Sequence, residues 1–340
     1  MFGSAGVNFL SAYSSVKSYD LYVTSEVMSG GNDEAMHTRK LNDRLYIIDL
    51  KPVGLENFIA SYVLKGEKAT AIVETGPTCS IPNLLTGLKE IGVENEDVDY
   101  VAVSHIHIDH AGGAGNLLQH LPNAKLIVHA KGAPHIVNPE KLWEQSKLVL
   151  GEVAVAYGEI EPVPENRVIT PQDGMTLDLG GSVQLRVLET LGHASHHLGY
   201  FENETQGIFQ GDAAGIYFPQ LDVTIPTSPA PFHLELTLAS LERLAKLEPK
   251  RLYYTHYGPV EKAVDRLRKY EDQLQLWAKI VSVAVKRGDT PESIHEQILA
   301  QDPQMKVATP FIKEHLVLRR GVMMQNVQGF VGYFKKKLLV

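Results

Sequence analysis

The chain has 340 residues, of which 44% are hydrophobic and 21% are charged. This composition is typical of a globular protein and excludes disordered, collagen-like and coiled-coil chains. The 32 basic and 40 acidic residues give a net charge of −8, which argues against a broad phosphate-binding surface, so we expect no nucleic-acid partner.

One cysteine, Cys79, occurs in the chain. A single thiol can form neither an internal disulfide nor a thiolate metal site, so any metal ion must be bound by nitrogen and oxygen ligands. The N-terminal residues lack the basic start and the apolar run of a signal peptide, and no apolar stretch is long enough to span a membrane. We therefore expect a cytoplasmic protein without a membrane partner.

Strands are predicted where short β-branched and aromatic segments are bounded by turn residues. In the first part of the chain these segments are 18–27, 44–50, 57–64 and 69–75. Strands at 99–105 and 124–130 then alternate with helices at 114–121 and 141–150. A second β-rich stretch covers 174–181, 183–190, 197–203 and 205–212, before a helix at 233–247 and a strand from 251. The order predicts an α/β (α+β) fold of two mixed sheets packed face to face with helices outside.

The composition changes after the last of these strands. Residues 261–287 and 311–334 are mostly helix formers, with turn signals at 288–291 and 302–303. We therefore divide the chain into an N-terminal arm (1–18), a core domain (19–260) and a helical C-terminal extension (261–340). The extension is expected to shape access to the functional site and to offer a homodimer contact.

A dense set of metal-ligand residue types follows the strand at 99–105. Within the sequence SHIHIDHAGG, four such residues lie within six positions: His105, His107, Asp109 and His110. Alternate side chains of an extended segment face the same way, so His105, His107 and Asp109 are predicted to converge. His110 then faces a neighbouring site. The spacing therefore suggests two metal ions.

Three further ligand-type residues, His193, Asp212 and His256, each follow an apolar strand. A lone histidine at such a place is usually structural, but the carboxyl edge of an α/β sheet is where sites are assembled from separate loops. Together the seven residues are sufficient for two open metal sites. Asp212 is the natural bridge because its carboxylate has two oxygens to share.

These residues resemble the HxHxDH motif and the later ligands of the metallo-β-lactamase superfamily, most closely its glyoxalase II and lactonase-like branch, over roughly residues 40–260. The resemblance implies a four-layer αββα sandwich with a binuclear metal centre. It also implies that His105, His107 and His193 hold the first metal, that Asp109, His110 and His256 hold the second, and that Asp212 bridges them. True β-lactamases lack the histidine after the motif aspartate, so His110 argues against antibiotic hydrolysis.

The resemblance implies a metal-dependent hydrolase of small-molecule carboxylic esters, thioesters or lactones, with phosphodiesters or phosphotriesters as the alternative substrates. Two divalent ions lower the pKa of a shared water, so that a bridging hydroxide is available for attack near neutral pH. Asp109 or a bound water then returns a proton to the leaving group. Zinc is the default metal, and iron and manganese also suit these ligands.

Three residues outside the ligand set have two interpretations each. Glu74 stands in VETGP where the family usually has Asp in a D-T-G motif; it either orients a ligand histidine or caps a turn. His197 either supports the ligands or is structural. Tyr217 either donates to a substrate carbonyl or is a packed aromatic. The aromatic, Pro-rich segment 215–233 is expected to form a semi-rigid pocket wall, or else a long surface loop.

Overall fold

The computed structural model describes residues 37–339. The predicted arm (1–18) and the predicted strand at 18–27 lie outside the described residues. The first sheet contains β1 (Thr38–Lys40), β2 (Leu45–Asp49), β3 (Ala60–Lys65), β4 (Thr70–Val73), β5 (Val98–Ala102), β6 (Lys125–Ile127) and β7 (Val168–Ile169), in that spatial order. Neighbours from β1 to β4 pair antiparallel, and those from β4 to β7 pair parallel.

Helices connect the parallel strands of this sheet, as parallel pairing requires. They are α1 (Ile81–Glu90), α2 (Ile108–Ala111), α3 (Ala114–His120), α4 (Ala133–Val137), α5 (Glu140–Leu150) and α6 (Glu152–Tyr157). Gly87 of α1 lies directly against the side chain of Ile48 on β2, where a Cβ atom would be only 2.6 Å from the isoleucine. The glycine therefore allows this helix to pack closely on the sheet.

The second sheet is built from later segments of the chain. Its strands are β8 (Thr176–Gly180), β9 (Val183–Glu189), β10 (Leu198–Glu202), β11 (Gly207–Gly211), β14 (Arg251–Tyr254) and β15 (Gly258–Glu261). Their spatial order is β15-β14-β11-β10-β9-β8. β11 and β14 pair parallel and are connected through α7 (Leu234–Ala245), whereas the other neighbours pair antiparallel.

The two sheets face each other across an apolar core, because side chains alternate along each strand. On β3, Tyr62 and Leu64 belong to the cluster between the sheets, together with Leu185 and Phe209 of the second sheet. Val63, between them on β3, belongs instead to the cluster that includes the outer helices. The prediction of a four-layer αββα sandwich is confirmed.

The C-terminal extension consists of α8 (Ala263–Arg287), α9 (Pro291–Gln301), α10 (Pro303–Glu314) and α11 (Val322–Leu338). Its buried side chains, such as Trp277 and Phe330, share one apolar cluster with Leu241 and Leu244 of α7. The extension therefore packs on the helical side of the second sheet. No helix within residues 37–339 is long and apolar enough to cross a membrane.

One prediction for the extension needs correction. The helix predicted over 311–334 is interrupted between α10 and α11. There the Nδ1 atom of His315 accepts the backbone N–H groups of Val317 and Leu318, both at 3.3 Å, and Gly321 adopts a positive φ of 102°. These contacts turn the chain where the local composition favours a helix.

Over its first half, the segment 215–233 is not a long surface loop. It contains a hairpin of β12 (Ile216–Phe218) and β13 (Val223–Ile225) whose strand residues are all buried, whereas the turn at 219–222 is largely exposed. The N–H of Thr224 donates to Gln304 Oε1 of α10 at 3.0 Å, and the rings of Phe218 and Phe311 lie 5.0 Å apart. The extension therefore covers this hairpin.

Candidate metal centre

The candidate ligands lie where strands of both sheets end. His105 comes after β5, His193 after β9, Asp212 directly after β11 and His256 directly after Tyr254–Thr255 at the end of β14. The strand ends therefore position candidate ligands from separate parts of the chain at one edge of the sandwich.

Two tyrosines fix the sheets relative to each other beside these ligands. The hydroxyl of Tyr200, on the second sheet, donates to the carbonyl of Val103 at 2.6 Å. The hydroxyl of Tyr62, on the first sheet, donates to the carbonyl of Tyr254 at 2.6 Å. Each acceptor lies two residues before a candidate ligand, so the spacing of the sheets is set next to the site.

The first group of candidate ligands consists of His105, His107 and His193. The Nε2 atom of His193 lies 3.2 Å from His105 Nε2 and 3.1 Å from His107 Nδ1, and His105 Nε2 lies 2.8 Å from His107 Nδ1. All three nitrogens could contact one ion at the same time. We call this group the first triad.

Asp109, His110 and His256 form the second triad. The Nε2 atom of His256 lies 3.4 Å from Asp109 Oδ2 and 3.3 Å from His110 Nε2. The prediction that Asp109 converges with His105 and His107 is wrong, because the chain is extended only as far as His107. The helix α2 begins at the next residue, so Asp109 and His110 lie on one helical turn. Both side chains point toward His256.

Asp212 lies between the two triads. Its Oδ2 atom is 3.7 Å from His193 Nε2, whereas its Oδ1 atom is 3.3 Å from His110 Nε2 and 3.8 Å from His256 Nε2. Oδ1 is buried and has no hydrogen-bond partner among the described residues. A buried carboxylate oxygen without a donor is costly unless a cation satisfies it.

The outward-facing ring nitrogens show which atoms are left for a metal. His193 Nδ1 and His256 Nδ1 lie 3.0 and 2.9 Å from the carbonyl oxygens of Thr227 and Phe58. A carbonyl only accepts, so both Nδ1 atoms donate and the Nε2 atoms present lone pairs to the centre. Imidazole lone pairs facing one another repel unless a cation lies between them. The residues present therefore fit bound metal cations.

Glu74 lies where it can orient a ligand histidine, which is the first of the two roles considered for it. Its Oε1 atom lies 3.2 Å from His110 Nδ1, and its Oε2 atom accepts the N–H of Ser104 at 3.3 Å. The hydroxyl of Thr255 donates to Oε1 at 3.4 Å. The carboxylate thus orients the His110 ring and ties together residues from both sheets, despite being longer than the aspartate usual in the family.

His197 supports Asp212 and does not face the cluster as a ligand. Its Nε2 atom accepts the backbone N–H of Asp212 at 3.1 Å, and its Nδ1 atom lies 2.7 Å from Thr190 Oγ1. An accepting Nε2 requires the neutral ring, and burial lowers the pKa of His197 well below its ordinary value. The ring therefore anchors the backbone at the end of β11.

The Tyr217 hydroxyl is hydrogen-bonded to a neighbouring carboxylate and is not directed at the candidate ligands. Its hydroxyl donates to Asp222 Oδ1 at 2.9 Å, and the Arg266 guanidinium lies 5.1 Å from the ring centre. Burial raises the pKa of Tyr217 to about 12. The packed-aromatic interpretation fits this geometry, and the suggested donation to a substrate carbonyl does not.

The charge state of the site follows from burial and from its carboxylates. Burial lowers the pKa of His107 to about 3, so this imidazole is neutral. Burial would raise the pKa of the Asp212 carboxyl, but the imidazoles of His110, His193 and His256 together outweigh burial and lower that pKa. For His110, burial is outweighed by the neighbouring carboxylates, above all Asp212, which raise its pKa well above the ordinary value. The site therefore attracts positive charge.

Three contributors to the site were not predicted from the sequence. Ser104 Oγ lies 2.9 Å from His105 Nδ1, and the carbonyls of Phe58 and Thr227 orient two ligand histidines. Ser104 directly precedes the histidine motif, so its contact with a ligand could have been predicted from its position. The two carbonyls offered none, because every residue type carries one.

With this geometry established, the comparisons with known proteins identify the class. The model of the metallo-β-lactamase superfamily matches residues 55–256, more than half of the chain. A metallo-β-lactamase fold-containing protein of Sulfurisphaera tokodaii is 32% identical over 220 residues, which cover 64% of this chain and 79% of that protein. The chain belongs to the metallo-β-lactamase superfamily and is a hydrolase of that class.

More distant relatives carry the names of enzymes. An N-acyl homoserine lactonase of Bacillus thuringiensis is 26% identical, covering 58% of this chain and 79% of the lactonase. A hydroxyacylglutathione hydrolase of Prochlorococcus marinus is 23% identical, covering 47% of this chain and 52% of that hydrolase.

Solved structures agree on the fold. An archaeal metallo-β-lactamase superfamily protein from Sulfolobus tokodaii superposes with a TM-score of 0.60 at 30% identity, covering 68% of this chain and 85% of its own. A metallo-β-lactamase family protein from Thermus thermophilus reaches a TM-score of 0.64 at 22% identity, covering 88% of this chain and 95% of its own. The second similarity shows the fold alone.

Proposed function

We propose that this chain is a binuclear metal-dependent hydrolase of carboxylic esters, thioesters or lactones. The observation that carries the proposal is the place of Asp212, whose two oxygens face two separate triads. Each triad offers three ligand atoms, and a shared carboxylate oxygen supplies a fourth. Imidazole nitrogens and carboxylate oxygens in groups of three are a ligand set that suits a catalytic divalent ion. Zinc is the metal we expect, with iron or manganese as the alternatives.

Bound divalent ions would lower the pKa of a water molecule and polarise a carbonyl oxygen. The chain itself supplies ligand orientation through Glu74, His197 and the carbonyls of Phe58 and Thr227. The contacts of Glu74, Phe58 and Thr227 orient the ligand imidazoles toward the centre. The contact of His197 holds the backbone of Asp212.

Asp109 is the residue that we assign to proton transfer. Its side chain is 30% exposed, whereas that of Asp212 is 7% exposed and that of His110 is fully buried. Burial would raise the pKa of Asp109, but His110 and His256 outweigh it and lower that pKa, so the carboxylate is ionised. Its exposure places this carboxylate within reach of substrate and water, as proton transfer to a leaving group requires.

The substrate class is supported by the named relatives. The lactonase and the hydroxyacylglutathione hydrolase are named for cleaving a lactone and a thioester, and both reactions begin with attack of water on a carboxyl carbon. The single cysteine supports a reducing, cytoplasmic location for such an enzyme.

The test is a substrate panel with protein of known metal content. We expect about two metal ions per chain in the purified protein, and hydrolysis of at least one acyl homoserine lactone, acyl thioester or aryl ester. A chelator should abolish this hydrolysis and added zinc should restore it. If a phosphodiester or phosphotriester is cleaved faster than every carboxylic substrate, the phosphoesterase alternative replaces this proposal.

A further inference from the structure

A short segment of the chain contacts two candidate ligands from one side. It comprises Pro226, Thr227 and Ser228, between β13 and α7, and we call it the 226–228 segment. The Thr227 carbonyl accepts the Nδ1–H of His193 at 3.0 Å, and the Thr227 hydroxyl donates to the backbone carbonyl of Asp212 at 2.8 Å. One residue thus sets the ring orientation of a first-triad histidine and the backbone position of the residue between the triads.

The helical extension holds this segment in place. The N–H of Thr227 donates to the hydroxyl of Tyr270 on α8 at 3.2 Å. On α11, Asn326 Oδ1 accepts the N–H of Ser228 at 2.7 Å, and Asn326 Nδ2 donates to the carbonyl of Pro226 at 2.7 Å. The Ser228 hydroxyl donates in return to the backbone carbonyl of Asn326 at 3.1 Å. Two helices of the extension therefore fix three consecutive residues.

Burial makes these hydrogen bonds hard to replace. Tyr270 is 1% exposed, Asn326 2% and Thr227 5%, so water has little access to a partner that loses its bond. Buried backbone groups are nearly always paired. If Tyr270 loses its hydroxyl, the Thr227 N–H has to move to find another acceptor, and the carbonyl and hydroxyl of the same residue move with it.

We propose that Tyr270 and Asn326 are positioning residues of the metal site. They act through the 226–228 segment on His193 and Asp212, although the described part of the extension contributes no candidate ligand. This inference rests on the proposed function, because it assumes that the two triads hold metal ions. It also revises the expectation that metal binding belongs to the core domain and access to the extension.

The effect is confined to one part of the site. The second-triad histidines are oriented from the core domain, His256 by the Phe58 carbonyl and His110 by Glu74. Neither contact involves Tyr270 or Asn326, although the Phe58 ring packs against His315 of the extension. Loss of the Tyr270 or Asn326 contacts therefore perturbs the first triad and Asp212 and leaves the outward contacts of the second triad in place.

The test uses the full-length chain and two variants with a control. Tyr270→Phe removes one oxygen, and Asn326→Leu removes the side-chain hydrogen bonds at similar volume. The control is Trp277→Phe, because Trp277 is a buried residue of the same extension whose Nε1–H donates to Asp302 at 2.7 Å and makes none of the hydrogen bonds that hold the 226–228 segment. For each protein, zinc affinity is measured by chelator competition, the visible spectrum is recorded after cobalt loading, and the melting temperature is measured without metal.

We expect Tyr270→Phe and Asn326→Leu to lower zinc affinity by about 10-fold, as for other residues that orient metal ligands, and to shift the cobalt spectrum. Trp277→Phe should lower the melting temperature and leave the affinity and the spectrum unchanged. Wild-type affinity and spectrum in both test variants, or an equal loss of affinity in the control, overturn the inference. A wild-type chain that takes up neither zinc nor cobalt refutes the proposed function instead, and the positioning role with it.

Discussion

At the scale of single residues, Asp212 has the largest number of roles. It faces both triads through its carboxylate, its N–H donates to His197 and its carbonyl accepts from Thr227. Replacement by Ala removes only the carboxylate, because the backbone contacts remain.

We therefore predict that Asp212→Ala folds but loses metal from both triads. Its metal content, measured by mass spectrometry of the purified protein, should fall well below that of the wild type, and hydrolysis should fall by more than about 100-fold. Asp173→Ala is the control, because Asp173 is a partly exposed residue paired with Arg243. Two ions per chain and normal turnover in Asp212→Ala would mean that another group connects the triads.

A second prediction at this scale concerns Asp49 at the end of β2. It is 9% exposed and accepts the N–H groups of Lys51 and Asn57. Burial raises the pKa of Asp49 to about 6, above its value in the unfolded chain. The folded state therefore binds this proton more tightly. The contribution of protonated Asp49 to the free energy of unfolding is fully present below about pH 4. This contribution, about 3 kcal/mol, is lost as the pH rises through about 6.

The measurement compares the free energy of unfolding of metal-free wild type and Asp49→Asn by urea titration between pH 4 and 7. Asn carries no ionisable proton, so the stability of the wild type relative to the variant should fall across this range. Asp178→Asn is the control, since Asp178 is exposed and Lys68 lowers its pKa, which gives the opposite sign. A difference that is constant with pH for Asp49→Asn contradicts the prediction.

The sequence predicted the seven ligand candidates because their residue types are chemically distinctive and follow strand ends. It also suggested Glu74 and His197, whose side chains contact the ligand set. Thr227 and Phe58 were missed because they act through backbone carbonyls. Which carbonyl meets which imidazole depends on the tertiary path of the chain, which no local pattern encodes.

At the scale of elements, the strands predicted within residues 37–339 recur in the two sheets within a few residues, since their apolar alternation matches burial on each side. The departures have local causes. The helix α2 is too short to show a period, and it begins where an extended strand was expected to continue to Asp109. The break between α10 and α11 depends on a histidine side chain capping backbone N–H groups, a contact that composition does not reveal.

The contact between α11 and the 226–228 segment leads to a prediction on two glycines of the same helix. A Cβ atom on Gly329 would overlap the carbonyl oxygen of Ser228, which is a backbone atom and cannot rotate away. Gly332 is exposed, and a Cβ atom there would meet nothing within 4 Å among the described residues.

We expect Gly329→Ala to destabilise the protein by roughly 1–3 kcal/mol through overpacking. Gly332→Ala should stabilise it by roughly 0.5–1 kcal/mol through helix propensity. Chemical denaturation of both variants measures the difference. Equal stability of the two would show that α11 can shift away from the segment at little cost.

At the scale of the whole molecule, the extension shares its hydrophobic core with the catalytic fold. Trp277, Leu274 and Phe330 are fully buried in a cluster that also contains Leu241 and Leu244 of α7. Removal of the extension would expose this surface, and large exposed apolar patches promote aggregation.

A chain that ends at Glu261 is therefore predicted to bind a hydrophobic dye strongly, to lack a cooperative unfolding transition and to retain little metal. The control is a chain that ends at Phe334, which removes the exposed lysine-rich end of α11 and should resemble the wild type. A monomeric, cooperatively unfolding and metal-loaded chain ending at Glu261 would show that the core domain is independent.

The hydrogen bonds from Tyr270 and Asn326 to the 226–228 segment also determine when the metal site can be completed during synthesis. Synthesis proceeds toward the C-terminus, so all seven ligand candidates, of which His256 is the last, leave the ribosome before these two residues. Domains fold as their sequence emerges, yet Ser228 meets its partner only when α11 has been made. We therefore expect metal loading to follow release of the chain. Nascent chains arrested before Asn326 should lose zinc to a chelator that the finished protein resists.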